Sequence, residues 1–535
     1  MALTVSAAGG PGQSLPDIGE VHKLTPAQED DAFRRNVSAD DAAMNDVFRR
    51  IYKDCFAGRL RDPSPPCLPY CFFAPGGGYP DCQAVWDEMF VLNFYAPWGQ
   101  RPVMRGGFEN YWNAIDNNPK APKGSFRYGM VPCSLLATRK EHFDFSQIPI
   151  LAWGCLMVYR QTNDRELLQR ALPYLMAFDQ WWSTERDVDG DGLIECGAYA
   201  VCPEAVALGL DIVQCARYES FDFHSTLDHL KLTKHPKRKD SGEWYGNVEG
   251  VDLTCFLIMA ERALAEIARD LGNEGVARKY EKIVARRVKA VQELMWNPKT
   301  QFFHSLERDT HKQLPDRTIQ AFLTLTAGAA TKAQAETLVK SLLDPKIFWC
   351  KYPVPTQAMD DPKYSPKGVW RGDVWPPMNY LVACGLNRYG YRKEARELSE
   401  RTIRMIGPGT INERYDGTMG QPTGGWGLQM SCTVGLMIVQ NVYGIQEDFR
   451  TICVPVGAKG RKLKWGALEV SYPTDNVVEL KTDFPREFRV VFPLAVKHAT
   501  VTCDGQRLAP AHVKVSKDAV TFPAQAARAY RVSGI

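Results

Sequence analysis

The chain has 535 residues, 65 basic and 62 acidic side chains, a formal net charge of +3, and 45% hydrophobic, 24% charged and 11% aromatic residues. That balance excludes a disordered, fibrous or membrane-embedded chain, and charges spread this evenly leave no electrostatic footprint for nucleic acid or anionic lipid. The length exceeds one ordinary core and suits one large barrel with a small added module.

Residues 1–35 open with a stretch rich in Gly, Pro, Ser and Gln and read as an N-terminal arm. They hold no apolar run of signal-peptide length, and no window further on approaches a membrane span. The chain as it stands therefore reads as cytoplasmic, and a secreted or periplasmic protein stripped of its leader would read the same. A helical pattern over residues 39–56 is broken by the Pro- and Gly-rich residues 62–80 and resumes near Trp86. Helical hairpins follow. Residues 146–159 form an apolar helix, and an amphipathic one reaches Trp182. Leu253, Leu257, Ala260, Leu264, Ile267 and Leu271 recur at spacings of four and three, Gly272 stops the run, and a partner spans residues 276–295. Residues 318–326 pair with 332–343, 374–389 with 393–406, and 427–442 close the series.

In most of these pairs one helix is apolar all round and the other amphipathic, as inner and outer layers of a toroid require. The predicted fold class is mainly α: a toroidal barrel over residues 36–446. Its long loops gather polar and aromatic clusters at one rim. From residue 447 to 535 the pattern turns to period two, with Phe488, Val490 and Phe492 on one face and an Asp504-Gly505 turn after Val501 and Cys503. This predicts a small antiparallel β-sandwich. Fifteen cysteines at irregular spacing, without a CxxC, read as reduced and mostly buried thiols.

Two acidic clusters carry the chemistry. Arg217-Tyr218-Glu219-Ser220-Phe221-Asp222-Phe223-His224-Ser225 sets two carboxylates among aromatic rings, and Ile411-Asn412-Glu413-Arg414-Tyr415-Asp416-Gly417 lies far downstream. A carboxyl beside such rings loses hydration and holds its proton towards neutral pH, suiting a general acid; a second, wetter carboxylate suits activation of water. The alternative is that Asp222 and Glu413 are ordinary surface or capping acids. Residues 368–380 add the planar fork of Arg371 and the faces of Trp370 and Trp375, on which a pyranose ring can stack, ahead of a Pro376-Pro377 helix start. Trp86 beside Asp87, and Gln147 in Ser146-Gln147-Ile148-Pro149, open two further inner helices, where capping by Asp87 or Ser146 is the competing role.

Asp187, Asp189 and Asp191 stand at the spacing of the first half of a calcium loop. The twelfth position is Ala198, so a tight polar turn is the favoured reading and no cofactor is expected. No zinc-type cluster, phosphate-cradling loop or nucleophile elbow is present, Gly76-Gly77-Gly78 reads as a turn, and the basic run at residues 231–239 reads as a solvated loop face.

Together SQIPILAW (146–153), RDVDGDGLIEC (186–196), YESFD (218–222), VDLTCFL (251–257), DDPKY (360–364), GVWRGDVWPPMNYL (368–381) and INERYDGTMG (411–420) resemble the trehalase-like clan of glycoside hydrolases. The likeness is to family 63 in particular, with its mannosylglycerate-hydrolase-type bacterial members, over roughly residues 80–445. It implies an (α/α)6 barrel and inverting hydrolysis of an α-glycosidic bond in a small saccharide or glycoside. The family acid falls on Asp222 and the base on Glu413; sugar-binding roles fall on Trp86, Asp87, Gln147, Trp370, Arg371, Gly372 and Trp426. Tyr218, Glu219, Trp375 and Tyr415 complete the candidate set from the same motifs. The chain departs from the family around Ser220-Phe221-Asp222-Phe223-His224, which makes Glu219 a rival for the acid, and at Trp426-Gly427-Leu428-Gln429. A sugar epimerase on the same barrel, which wants paired histidines at the rim, and a non-catalytic carbohydrate-binding descendant are the competing functions.

Overall fold

The computed structural model describes residues 15–534 except 77–80, 119, 138–144, 200–210, 218, 221–225, 235–242, 426, 448–450 and 497. Among the described residues, six helices follow one another in contact. Val85–Tyr95 packs on Leu151–Thr162, which meets Val251–Asp270, then Leu323–Ala327, Pro376–Arg388 and Thr433–Met437, and the last returns to the first. Burial separates these from their neighbours. In Val85–Tyr95 every residue except Asp87 is buried, whereas Glu274–Ala290, packed on Val251–Asp270, buries only Ala277, Tyr280, Val284, Arg287 and Ala290. Arg101–Asn117, Arg165–Glu185 and Arg392–Ile406 likewise pack on the ring helix before them.

Most helix ends are close to where the sequence places them. The 253–271 pattern becomes Val251–Asp270, ended by Gly272, and the expected helix of residues 374–389 becomes Pro376–Arg388. Residues 146–150 are not helical: the first apolar helix begins at Leu151, so Ser146 caps nothing and its Oγ donates to the Val131 carbonyl at 2.7 Å. Arg101–Asn117 has no counterpart in the sequence reading. Where an N-terminal arm was expected over residues 1–35, Pro26–Asn36 is a helix with a Thr25/Gln28 capping box that runs one residue past that boundary.

A five-stranded sheet is also new. It is built from Glu195–Ala198, Leu232–Lys234, Trp244–Glu249, Leu306–Glu307 and Lys312–Gln313. Leu232–Lys234 turns the start of the expected basic loop into a strand; residues 235–239 lie outside the described residues, as do Gly77 and Gly78.

After residue 445 the chain forms two sheets. Phe488 and Val490 are buried and paired with Phe522 and Val520, and Asp504-Gly505, both at positive φ, join Ala499–Cys503 to Gln506–Arg507. Two features differ from an all-antiparallel module. Thr451–Pro455 pairs with Arg486–Val491 in parallel, and Val37–Ala39, from the other end of the chain, adds an edge strand against Lys462–Trp465. The described cysteines are free thiols, most of them buried, and no described helix is long and apolar enough to cross a membrane.

Where the long helix Arg165–Glu185 ends, Arg186 is fully buried and meets the equally buried Glu219. Its Nε and Nη2 donate to Glu219 Oε2 at 2.6 Å and Oε1 at 3.0 Å, while the backbone N–H groups of Ser146 and Gly197 donate to the same oxygens at 2.9 and 2.8 Å. One carboxylate thus joins the end of Arg165–Glu185, the lead-in to the ring helix Leu151–Thr162, and the five-stranded sheet. Removing one partner of such a pair strands a buried charge. Arg186→Met is therefore expected to cost about 3–5 kcal/mol, read as a lower urea midpoint; adding Glu219→Leu should recover part of the loss, and equal midpoints for the wild type and Arg186→Met would refute this role.

Candidate active site

The ring brings parts of several motifs to a common place, and the surroundings of Asp87 show how. On a helix otherwise buried all round, Asp87 is the residue left partly open. Its Oδ1 has no hydrogen-bond partner, and burial, with the nearby charge of Glu413 adding to it, pushes its pKa up to about 7. Glu413, distant in sequence, is thereby placed beside the first ring helix.

Glu413 itself is largely withdrawn from water. Burial raises its pKa, and Arg414, whose Nε lies 3.4 Å from Oε2, opposes that rise. The segment carrying it is fixed by backbone pairing. Glu413 N–H donates to the Gly425 carbonyl at 2.7 Å, and Val374 and Tyr415 exchange both their N–H···O bonds at 2.7 and 2.9 Å. That bridge joins residues 411–416 to the Trp370–Trp375 segment.

In the latter segment the two indoles stack on each other with ring centroids 4.5 Å apart. Trp370 holds φ at +54°, a conformation rare for a bulky side chain, and its N–H donates to Asp373 Oδ1 at 3.0 Å. Gly372 is required as glycine: at φ +143°, a Cβ would lie 2.5 Å from the Tyr364 ring and 2.6 Å from the Ser365 carbonyl. Asp373, fully buried, also accepts from Thr356 Oγ1 at 3.0 Å and from Arg414 Nη1 at 3.3 Å, and burial pushes its pKa up to about 6. Arg371 donates through Nη2 to both oxygens of Asp228 at 2.8 Å.

The remaining candidates connect to the same place. Trp86 is buried, its backbone N–H donates to Gln147 Oε1 at 2.8 Å, and its indole N–H reaches the Met430 sulfur at 3.0 Å. Ser431 Oγ donates to the Asn412 carbonyl at 2.8 Å, and Asn412 N–H donates to the buried Tyr415 hydroxyl at 2.7 Å. Trp86, Asp87, Gln147, Trp370, Gly372, Trp375, Glu413 and Tyr415 therefore belong to one connected assembly. Glu219 joins it from behind: with both oxygens engaged and no exposure, it holds Ser146 in place and has no oxygen left for a reacting sugar. That geometry tells against its rivalry for the acid and against direct sugar contact. Tyr218, Asp222, His224 and Trp426 lie outside the described residues.

Three residues that position this assembly escaped the sequence reading although all lie inside its motifs: Arg186, Asp373 and Arg414. The charge complementarity of Arg186 and Arg414 to nearby acids was the available signal. A second cluster, Asp189, Asp191, Glu249 and His311, brings ligand atoms within 4.8 Å of one another and is able to hold a metal.

Residues 115–431 match the family described as the mannosylglycerate hydrolase MGH1-like glycoside hydrolase domain. Among relatives, the chain is 24% identical over 314 residues to mannosylglycerate hydrolase MGH1 of Selaginella moellendorffii, covering 52% of this chain and 63% of that one. It is 27% identical over 180 residues to the mannosylglycerate hydrolase of Rubrobacter radiotolerans, covering 33% and 40%. The chain thus spans less than two thirds of the length of these curated relatives. In fold it is similar to the GH63 mannosylglycerate hydrolase of Thermus thermophilus solved with glucose, at a TM-score of 0.57 and 20% identity over 74% of this chain and 99% of that one. With more than half of its length inside the matched region, this chain belongs to the mannosylglycerate hydrolase MGH1-like glycoside hydrolase family.

Proposed function

We propose that this protein hydrolyses the α-glycosidic bond of a small sugar conjugate, an α-mannoside or α-glucoside, with inversion at the anomeric carbon. The observation that carries the reading is the meeting of Asp87, alone left open on its helix, with Glu413 at the centre of the motif assembly. The ring of six helices with its outer partners is the (α/α)6 toroid this chemistry uses in the family, and the two C-terminal sheets stack as a sandwich that supports it.

In this mechanism Glu413 takes a proton from a water attacking the anomeric carbon. Asp222, assigned by its place in the motif, protonates the departing oxygen from the other side of the ring; inversion sets the two carboxyl groups about 6.5–9.5 Å apart. Asp87 binds sugar hydroxyls, and near neutral pH it can give as well as take a hydrogen bond. The stacked Trp370 and Trp375 wall the site and exclude water, which strengthens every polar contact inside it. The mannosylglycerate hydrolase names of the relatives make glycerate conjugates the first substrates to try.

Glu413→Gln and Asp222→Asn are each expected to lower kcat about a hundred- to ten-thousandfold while leaving sugar binding measurable by calorimetry. The assay is a panel of α-mannosides, α-glucosides and their glycerate conjugates, with the first-formed anomer followed by NMR; a retained anomer, or near-full activity in either variant, refutes the assignment.

The pH profile offers a separate check. Glu413 works as the anion, and its pKa is raised by burial, so kcat/KM should fall on acidification from a point above the ordinary glutamate range. Arg414 pulls that pKa down, so Arg414→Gln should move the acidic limb to higher pH. A limb that stays in place or moves to lower pH would show that Glu413 is not the group titrating.

A further inference from the structure

The two oxygens of the buried Asp373 serve different segments. Oδ1 accepts the Trp370 N–H and the Thr356 hydroxyl, both at 3.0 Å, and the same hydroxyl accepts the Gly372 N–H at 2.9 Å. That side fixes the backbone carrying the stacked indoles. Oδ2 lies 3.3 Å from Arg414 Nη1.

Arg414 is shared. Its Nε lies 3.4 Å from Glu413 Oε2, so one guanidinium stands between two acids from different segments. At these distances neither contact is the short, two-pronged pairing that commits an arginine to one carboxylate. The space around it is reserved by glycine: a Cβ at Gly424 would run into the guanidinium, and one at Gly425 would lie 3.5 Å from Glu413 Oε2. Three charges act on Glu413 here. Arg414 favours its anion, Asp373 disfavours it, and Asp87, on the first ring helix, feels the Glu413 charge in turn.

We propose that Asp373 is a positioning residue that holds Arg414 back from Glu413, so that the carboxylate keeps its affinity for the proton of the attacking water. The role rests on the reading of Glu413 as the base. A carboxylate fully paired with a guanidinium is a weak base, because its anion is already stabilised; one with no cation beside it, in a site withdrawn from water, stays protonated and accepts nothing. Sharing the cation with a second acid sets a state between these. Burial pushes Asp373 up to about 6, so it is ionised at neutral pH and releases Arg414 to Glu413 on acidification. The two carboxyls thus titrate as a linked pair through one arginine.

Full-length protein, isotope-labelled at the glutamate carboxyl carbon, would be titrated by NMR, with the Glu413 signal assigned by its loss in Glu413→Gln. Asp373→Asn keeps an acceptor for Trp370 and Thr356, removes the negative charge and turns a donor towards Arg414. It should lower the Glu413 midpoint by about one pH unit, opposite in sign to Arg414→Gln. In an Arg414→Gln background the same change should move the midpoint much less. Thr356→Val removes a donor that favours the Asp373 anion and should shift Glu413 in the same direction as Asp373→Asn, which covers the case in which the latter does not fold. A midpoint that stays in place or rises in the folded variants, or a full shift that persists without Arg414, overturns the proposal. Because ionisation is read directly, shifted midpoints in a protein that cleaves no glycoside would refute the hydrolase reading and uphold the coupling, whereas hydrolysis with unmoved midpoints would do the reverse.

Discussion

The placement of the candidate site depends on a buried ion pair. Arg186 and Glu219 are both fully removed from water, and the arrangement survives because Glu219 accepts four hydrogen bonds, two from the guanidinium and two from backbone N–H groups. The Arg186 guanidinium also lies over the rings of Trp181, Tyr199 and Tyr245, at 4.8, 5.4 and 5.5 Å from their centroids. Such a pair contributes more to register than to stability. It settles where the 146–150 segment enters the ring, and hence where Gln147 meets Trp86.

The ring imposes the complementary constraint. A helix surrounded on every side must be apolar, so a charged residue there is costly unless it faces a cavity. Val85–Tyr95 has two acids in its first turn, and they are treated differently. Glu88 is buried and its pKa is driven well above the ordinary glutamate value, chiefly by burial, whereas Asp87 stays partly open and lies within reach of Glu413. Helix packing of this kind gives two neighbouring acids different surroundings that their places along the chain do not announce.

Much of this was legible in the sequence. The four-and-three spacing of Leu253 to Leu271 and the stop at Gly272 specify a helix and its end through local physics, and the Trp370–Trp375 and Asn412–Tyr415 motifs mark their segments by composition alone. Less was legible wherever the outcome rests on a partner far along the chain. Nothing in Val37–Ala39 announces pairing with Trp465, period-two alternation is the same for parallel and antiparallel neighbours, and strands as short as Leu306–Glu307 hold too few residues to show any period. Arg101–Asn117 carries Pro102 and the Gly106-Gly107 pair, residue types that disfavour a helix interior. Yet Pro102 sits in the first turn, and Gly106 and Gly107 are close-approach positions, where a Cβ would come within about 3 Å of Tyr70 and Glu88.

Donor supply separates the buried acids by task. Glu219 and Asp373 have their oxygens taken up by backbone, hydroxyl or guanidinium donors, and both position neighbours: Ser146 and Gly197 in one case, Trp370 and Arg414 in the other. Asp87 Oδ1 and both oxygens of Glu249 have no donors despite burial, a state that costs free energy. Donors thus surround the carboxylates that fix the backbone around the candidate site, whereas the Asp87 Oδ1 inside it is left without one.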